Sequence, residues 1–151
     1  MNIAAGVLIL VAAVLNIMGG CTYAFAGAVT TGAAEMGTEF AEAAGAEGLS
    51  ASEVAEITEG AAEVSATGAG LGLWGFALFA IAGIMIAGAV FLFKKTKPGF
   101  VLLTGALALG AEVGGYLLVP LWAFGWMNII GVVAGIFAII ASRSFTATAS
   151  T

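Results

Sequence analysis

Glu112, in the stretch LTGALALGAEVGGYLLVP, is the residue of this chain whose type and position point most directly to chemistry. It is a single acid inside a segment that is otherwise free of charge. A carboxyl group within an apolar span can exchange a proton or bind a monovalent cation, and such residues are functional candidates by default. Three polar side chains are predicted at a similar depth and complete the candidate proton or ion site: Asn16, Tyr116 and Asn128.

Two interpretations of Glu112 remain open from the sequence. In the favoured, structural one, a neutral carboxylic acid hydrogen-bonds Asn16 or a backbone carbonyl and fixes the register of the helices. In the functional one, Glu112 handles a proton or a cation. A charged side chain at the centre of a bilayer costs about 2.5–3.5 kcal/mol on insertion scales, so either role needs a partner group.

The composition of the 151-residue chain excludes most enzyme classes. It is 62% hydrophobic and 9% charged, whereas soluble domains carry roughly 25% charged residues. Histidine and aspartate are absent and there is one cysteine, so zinc sites, catalytic triads and disulfides lack their residues. We therefore predict no enzymatic activity, no metal and no cofactor. The net charge of −5 argues against a nucleic-acid partner.

Four apolar segments are long enough to cross a bilayer, which needs about 20 apolar residues. They predict an all-α membrane protein with one membrane domain over residues 1–151, built as a four-transmembrane-helix bundle. The predicted spans are 3–29, 69–93, 100–119 and 121–141, followed by a polar tail over 142–151.

The charged residues separate by position along the chain. All four basic residues follow the second or the fourth span, and eight of the nine acids lie between the first and second spans. Because basic residues stay on the cytoplasmic side, we expect both termini and the tail to be cytoplasmic. The acidic loop over 30–68 is then extracytoplasmic, in a multi-pass protein of the cell's inner membrane. Trp74, Trp122 and Trp126 fall at the predicted outer interface, where tryptophan anchors are common.

The acidic loop contains a pattern typical of a short amphipathic helix. Ser50 and Glu53 match the S-x-x-E capping box that begins a helix. Apolar residues then recur at helical spacing while glutamates occupy the other face. We predict this helix between the first two spans, with a solvated acidic face rather than a cation site, because calcium loops use Asp and Asn at fixed offsets.

Cys21, in IMGGC, offers two interpretations. The pattern is similar to the lipobox of bacterial lipoproteins, which implies cleavage and lipidation at this cysteine. However, MNIAAG lacks the basic start of a secretory signal, and the apolar run continues past Cys21. We therefore favour a small apolar residue within the first span.

Small residues at four-residue spacing predict close helix packing in the spans. The faces they form serve either internal packing of one bundle or contact with a neighbouring subunit. They are Gly83 with Ala87, Ala106 with Gly110 and Gly114, and Gly131 with Gly135.

Two resemblances follow from these features. The four-span layout with a longer first outer loop resembles the tetraspan plan of claudin-like proteins and many small bacterial membrane proteins. That loop has neither the tryptophans nor the cysteines of the claudin signature, so the resemblance implies no junctional function. LGAEVGG around Glu112 is similar to the four-helix proteolipids of rotary ATPase rings. That resemblance implies an ion-carrying Glu112, but the chain lacks their glycine-repeat first helix and has an acidic loop foreign to them.

The sequence thus favours a non-enzymatic structural or accessory subunit. Its expected partners are the lipid bilayer and other membrane subunits or copies of itself, in a homo-oligomer or a larger complex. The alternative is a small proton- or cation-handling channel or carrier that uses Glu112.

Overall fold

A computed structural model describes residues 2–119 and 125–148 and contains four α-helices there. These are α1 (Asn2–Ala46), α2 (Ala51–Lys94), α3 (Pro98–Leu118) and α4 (Trp126–Thr148). All four are long and apolar enough to cross a membrane. The prediction of an all-helical architecture with four helices able to cross a membrane is confirmed for the described residues, and these helices indicate a membrane protein.

The first two helices are much longer than the predicted spans. α1 has 45 residues and α2 has 44, or about 66 Å each, roughly twice the thickness of a bilayer core. The segment predicted as a separate amphipathic helix is instead the first part of α2, and the loop shrinks to residues 47–50. No proline interrupts residues 51–94, and α2 continues through the glycines near residue 70, two of which pack closely against α1.

The turn between α1 and α2 is a compact helix ending followed directly by a new helix start. Gly48 has φ 114, a backbone conformation that favours glycine. The Leu49 N–H donates to the Ala44 carbonyl at 3.1 Å, the bond that characterises a Schellman ending. Only Ser50 then separates this ending from α2.

Ser50 and Glu53 form the capping box expected from their spacing. The Ser50 N–H donates to Glu53 Oε2 at 2.9 Å, and the Glu53 N–H donates to Ser50 Oγ at 3.4 Å. The Ser50 hydroxyl also donates to Glu53 Oε2 at 2.5 Å. These bonds, first the one from the hydroxyl and then the one from the backbone, hold the pKa of Glu53 below its usual range. The carboxylate form therefore stabilises the start of α2.

The turn between α2 and α3 places two lysines in the left-handed region. Lys95 has φ 51 and Lys97 has φ 50. The Thr96 N–H donates to the Phe91 carbonyl at 3.0 Å, which gives α2 a Schellman ending without glycine. Pro98 then opens α3, where its fixed φ suits the first helical position.

The chain divides into two compact units. One comprises Met1–Gly20 and Ala77–Thr151, and the other comprises Cys21–Phe76. In the first, the core is built largely of alanine, while large apolar side chains such as Ile3, Leu103 and Ile129 are exposed. Helices in lipid associate through close contact of small residues rather than by removing apolar area from water, which accounts for this inverted pattern.

The second unit is an antiparallel helical hairpin held by small residues. A Cβ built on Gly27 would lie 2.5 Å from the Gly72 nitrogen and 2.6 Å from the Gly68 oxygen, so the two backbones touch. Nearer the turn, Gly37 faces Ala61 and Gly45 faces Val54. This unit contains eight glutamates and no lysine or arginine.

Candidate functional site

Glu112 lies in the last third of α3, half-buried, beside the beginning of α4. It is 14 residues past Pro98 in a helix that ends at Leu118, so it lies about 21 Å from the start of α3 and 9 Å from its end. In the predicted span over 100–119, Glu112 lies twelve residues past the start, somewhat beyond the middle. The helix places it closer to the end, level with the first two turns of α4.

Asn128 joins Glu112 to the first turn of α4. Its Nδ2 donates to Glu112 Oε2 at 2.6 Å, and its Oδ1 accepts the Gly125 N–H at 2.7 Å. Gly125 is the residue before α4, so this second bond is the backward half of a capping box, made here by an asparagine at the third helical position. Asn128 is buried, and both ends of its amide are used. One side chain thus caps α4 and ties it to α3.

Gly131 provides the space that the Glu112 carboxyl group occupies. A Cβ on Gly131 would collide with Glu112 Oε1 and lie 2.9 Å from Glu112 Cδ. Any side chain at position 131 would therefore displace the carboxyl group. Glu112, Asn128 and Gly131 form one structural cluster, which we call the carboxyl clamp.

The other two candidate partners of Glu112 lie elsewhere. The Asn16 amide donates to the Met85 sulfur at 3.2 Å and so joins α1 to α2. The Tyr116 side chain is 68% exposed, one helical turn beyond Glu112. Of the three residues proposed from depth alone, the structure brings only Asn128 to Glu112.

The chain matches no known protein-family model, no curated protein and no solved structure. Among the described residues, no group of three or more His, Cys, Asp and Glu side chains could hold a metal ion.

The small residues predicted to pack helices fall into two classes. Gly131 and Gly135 are buried against α3, and a Cβ on Gly135 would lie 2.8 Å from the Gly105 oxygen. By contrast, a Cβ on Gly83 or Gly110 would meet no atom of the described chain within 4 Å. Ala106 is likewise exposed, whereas Ala87 and Gly114 are half-buried.

The predicted interface residues have diverse surroundings. The Trp126 side chain is 64% exposed at the beginning of α4. Trp74 is half-buried, and its indole N–H is buried with no hydrogen-bond partner in the described part of the chain. Trp122 lies outside the described residues. Cys21 lies within the uninterrupted α1 and is exposed, as a free thiol.

Several of the closest helix contacts are made by residues that were not among the predicted packing positions. Gly105 faces Gly135, and a Cβ on Gly88 would collide with the hydroxyl of the buried Thr104. In the hairpin, Gly68-x-x-x-Gly72 is itself a small-xxx-small motif, and its spacing would have identified it. The predicted loop over 30–68 ends at Gly68 and so divides this motif.

Replacing Asn128 with alanine should destabilise the pairing of α3 with α4. The change removes the bond to Glu112 and leaves the Gly125 N–H unpaired, so we expect the free energy of unfolding to fall by about 2–3 kcal/mol. The measurement is reversible unfolding in mixed micelles followed by circular dichroism. Asn16→Ala is the matched control, since it removes one weak bond to sulfur, and its effect should be clearly smaller. Equal effects would contradict the special role of Asn128.

Proposed function

We propose that the protein is a non-enzymatic structural or accessory subunit of a membrane assembly. It contacts copies of itself or other membrane subunits through small-residue faces that its own helices leave open. The acidic segment over residues 30–68 lies on the extracytoplasmic side, in a multi-pass protein of the cell's inner membrane.

The observation that carries this proposal is the open face on α3 around Ala106 and Gly110. The two residues are one turn apart, and no atom of the described residues lies within 4 Å of the position that a Cβ would take on Gly110. Large apolar side chains flank this face, including Leu103 and Val113, which are 49% and 58% exposed. A small-residue strip between bulky neighbours is the surface on which a second helix packs closely in lipid. Gly83 on α2 offers a second open position of the same kind.

The carboxyl clamp supports a structural role for Glu112. One of its oxygens accepts the Asn128 amide and the other lies against Gly131. An ion-carrying acid needs partners that change during transport, whereas these contacts are made by a helix cap and a backbone. A glutamine could still accept the Asn128 bond, so the proposal predicts that Glu112→Gln is nearly silent.

The test of this proposal compares the effect on the assembly of a substitution in the small-residue face with that of a substitution at Glu112. Gly110→Leu should dissociate the assembly, because the leucine fills the space that the partner helix occupies, while Glu112→Gln should leave it intact. The measurement is native mass spectrometry of protein gently solubilised from its own host membrane. Ala4→Leu, which adds bulk at another exposed position, serves as the matched control.

The outcomes separate the two classes of function. If Gly110→Leu leaves the assembly unchanged, the glycine face is not the contact surface. If Glu112→Gln abolishes a proton- or cation-dependent flux in proteoliposomes, the carrier interpretation replaces the structural one. A variant that has lost helical content is set aside in favour of Gly83→Leu, which tests the second open position.

The proposed topology is supported by charge. The three lysines lie at the turn between α2 and α3, Arg143 lies in the last part of α4 and lines one cleft with Pro98, and the hairpin has no basic residue. In a Cys21→Ser chain, Glu47→Cys should react with a membrane-impermeant maleimide on intact cells, because it lies in the exposed α1–α2 turn. Lys95→Cys should react only after permeabilisation. The reverse pattern would invert the topology.

A further inference from the structure

One face of α1 in the hairpin carries a row of apolar side chains that the described part of the chain leaves uncovered. The row comprises five exposed residues at alternating spacings of four and three: Val29, Ala33, Met36, Phe40 and Ala43. The Met36 side chain is 71% exposed and that of Phe40 is 64% exposed. We propose that this row, which we call the exposed seam, docks an amphipathic helix of another protein that carries lysine or arginine beside its apolar face.

The hairpin itself is built on a different face of α1. Gly27, Ala34 and Ala41 follow one another at seven-residue spacing and are buried, and Gly27 touches the α2 backbone. Met36 is two residues past Ala34, which places it about 200° further around the helix. α2 therefore cannot cover the exposed seam, and a further helix is needed to bury it.

The water-exposed part of the seam is marked by the glutamates beside it. Glu35, Glu39 and Glu42 lie on successive turns of α1, at the same level as Met36 and Phe40. Charged side chains avoid the hydrocarbon core, so lipid does not cover the two large apolar residues between these acids. Large apolar side chains that share one exposed face in water are typical of a protein contact.

The spacing of the seam suits a helix as the partner. Apolar residues that alternate at intervals of four and three form a straight stripe along a helix, against which a second helix packs its own stripe. The seam extends about 21 Å, from Val29 to Ala43. Ala33 and Ala43 leave space for the partner's side chains, and Phe40 between them provides an aromatic anchor.

Charge determines which kind of helix the seam accepts. The hairpin has eight glutamates and no lysine or arginine, and Glu39 borders the seam three residues past Met36. A second copy of the hairpin would bring the same acids and no cation. A helix with basic residues beside its apolar stripe complements both features, because opposite charges favour encounter and fix the register. This inference goes beyond the small-residue face of α3 and does not depend on it.

The probe for the test is a dye-labelled synthetic helix of about 28 residues, with leucine at the heptad a and d positions and lysine beside them. The full chain is placed in nanodiscs of phosphatidylcholine, which has no net charge, and fluorescence anisotropy measures binding relative to empty nanodiscs. We expect saturable binding. A peptide of equal composition with its leucines spread around the helix, and one with glutamate in place of lysine, should bind about ten-fold more weakly.

Substitutions in the seam test its apolar part. Phe40→Gln should weaken binding of the lysine peptide about thirty-fold, the loss expected when a large aromatic anchor is removed. Leu49→Gln is the matched control, because Leu49 is 38% exposed in the turn after α1 and lies outside the seam. Its affinity should stay at that of the unchanged chain. Met36→Gln should act in the same direction as Phe40→Gln, and circular dichroism verifies that all three variants keep their helices.

Substitutions of glutamate test the charge. Glu39→Gln should weaken binding about three-fold and reduce its dependence on salt, because an exposed ion pair beside the seam is lost. Glu59→Gln removes the same charge from an exposed position on α2 and should change the affinity less. This comparison separates a defined docking surface from a general attraction between a basic peptide and an acidic protein.

Four results would overturn the proposal. They are no saturable binding to the unchanged chain, equal losses in Phe40→Gln and Leu49→Gln, equal losses in Glu39→Gln and Glu59→Gln, or contact between copies through the seam. For the last, Phe40→Cys in a Cys21→Ser chain should form disulfides between copies no faster than Leu49→Cys does. Faster cross-linking would show that a second copy covers the seam. Gly110→Leu should bind the peptide as the unchanged chain does, so this result is separate from that of the assembly test.

Discussion

Replacing Gly135 with leucine should force α3 and α4 apart and lower the free energy of unfolding by about 3 kcal/mol. A Cβ at this position would lie 2.8 Å from the Gly105 oxygen and 2.8 Å from Leu109 Cγ. The first of these is a backbone atom, which no rotamer change can move, so the helix itself must shift. Reversible unfolding in mixed micelles measures the effect.

Gly110→Leu is the matched control for that experiment, since it makes the same change on the partner helix where the space is open. It should be neutral or slightly stabilising in the monomer, because a glycine inside a helix costs up to about 1 kcal/mol relative to alanine. A loss of stability as large as that of Gly135→Leu would show that the two positions are equivalent and that the described α3–α4 contact is wrong. Because Gly110→Leu is also the variant expected to dissociate the assembly, monomer stability and assembly can be measured on one protein.

The second large effect is expected in the hairpin over Cys21–Phe76. Gly27→Leu should open it, because the new side chain would be driven into the backbone of Gly68 and Gly72. An opening free energy lower by about 3 kcal/mol corresponds to roughly hundred-fold faster amide exchange around these residues. Hydrogen exchange with mass spectrometry on the micelle-bound chain measures this change peptide by peptide.

Gly32→Leu is the control within the same helix. A Cβ on Gly32 would meet no atom of the described part of the chain within 4 Å, and Gly32 lines an open groove of about 590 Å³ on the hairpin. Its amide exchange should stay close to that of the unchanged chain. The glycine contact would not be what holds the hairpin if amide exchange became faster in Gly32→Leu, or if it stayed at the rate of the unchanged chain in Gly27→Leu.

The sequence predicts the number and approximate position of the helices better than it predicts their lengths. Hydropathy reports which residues prefer lipid to water, so it detects the four spans and places the end of α2 and the start of α3 within a few residues. It does not report whether the backbone stays helical beyond the apolar stretch. Glutamate and alanine are good helix formers, which is why α1 continues through Glu35 and Glu42 to Ala46.

The candidate site was predictable as a set of residue types but not as a geometry. Similar depth along the spans gives three possible partners for Glu112. Two residues at one depth meet only if their helices are neighbours and their side chains face each other. Which of them does so depends on helix order and rotation, and Asn128 meets both conditions. Small-residue spacing has the same limit: it indicates that a close contact exists and does not say with which helix. Gly135 accordingly contacts Gly105, on a different face of α3 from Gly110.

The alanine-rich core has a consequence for how the chain tolerates mutation. In a water-soluble protein, replacing a buried leucine with a smaller residue leaves a cavity and lowers stability. Replacing a core residue with a larger one lowers stability as well. Here residues such as Ala89, Ala108 and Ala138 are fully buried, and almost every replacement makes them larger. Many of the bulky residues face outwards, where lipid adjusts to their shape, and only a few, such as Ile9, Met85 and Leu92, are buried. Compared with a water-soluble protein, the exposed large side chains should therefore tolerate substitution, and the buried alanines and glycines should not.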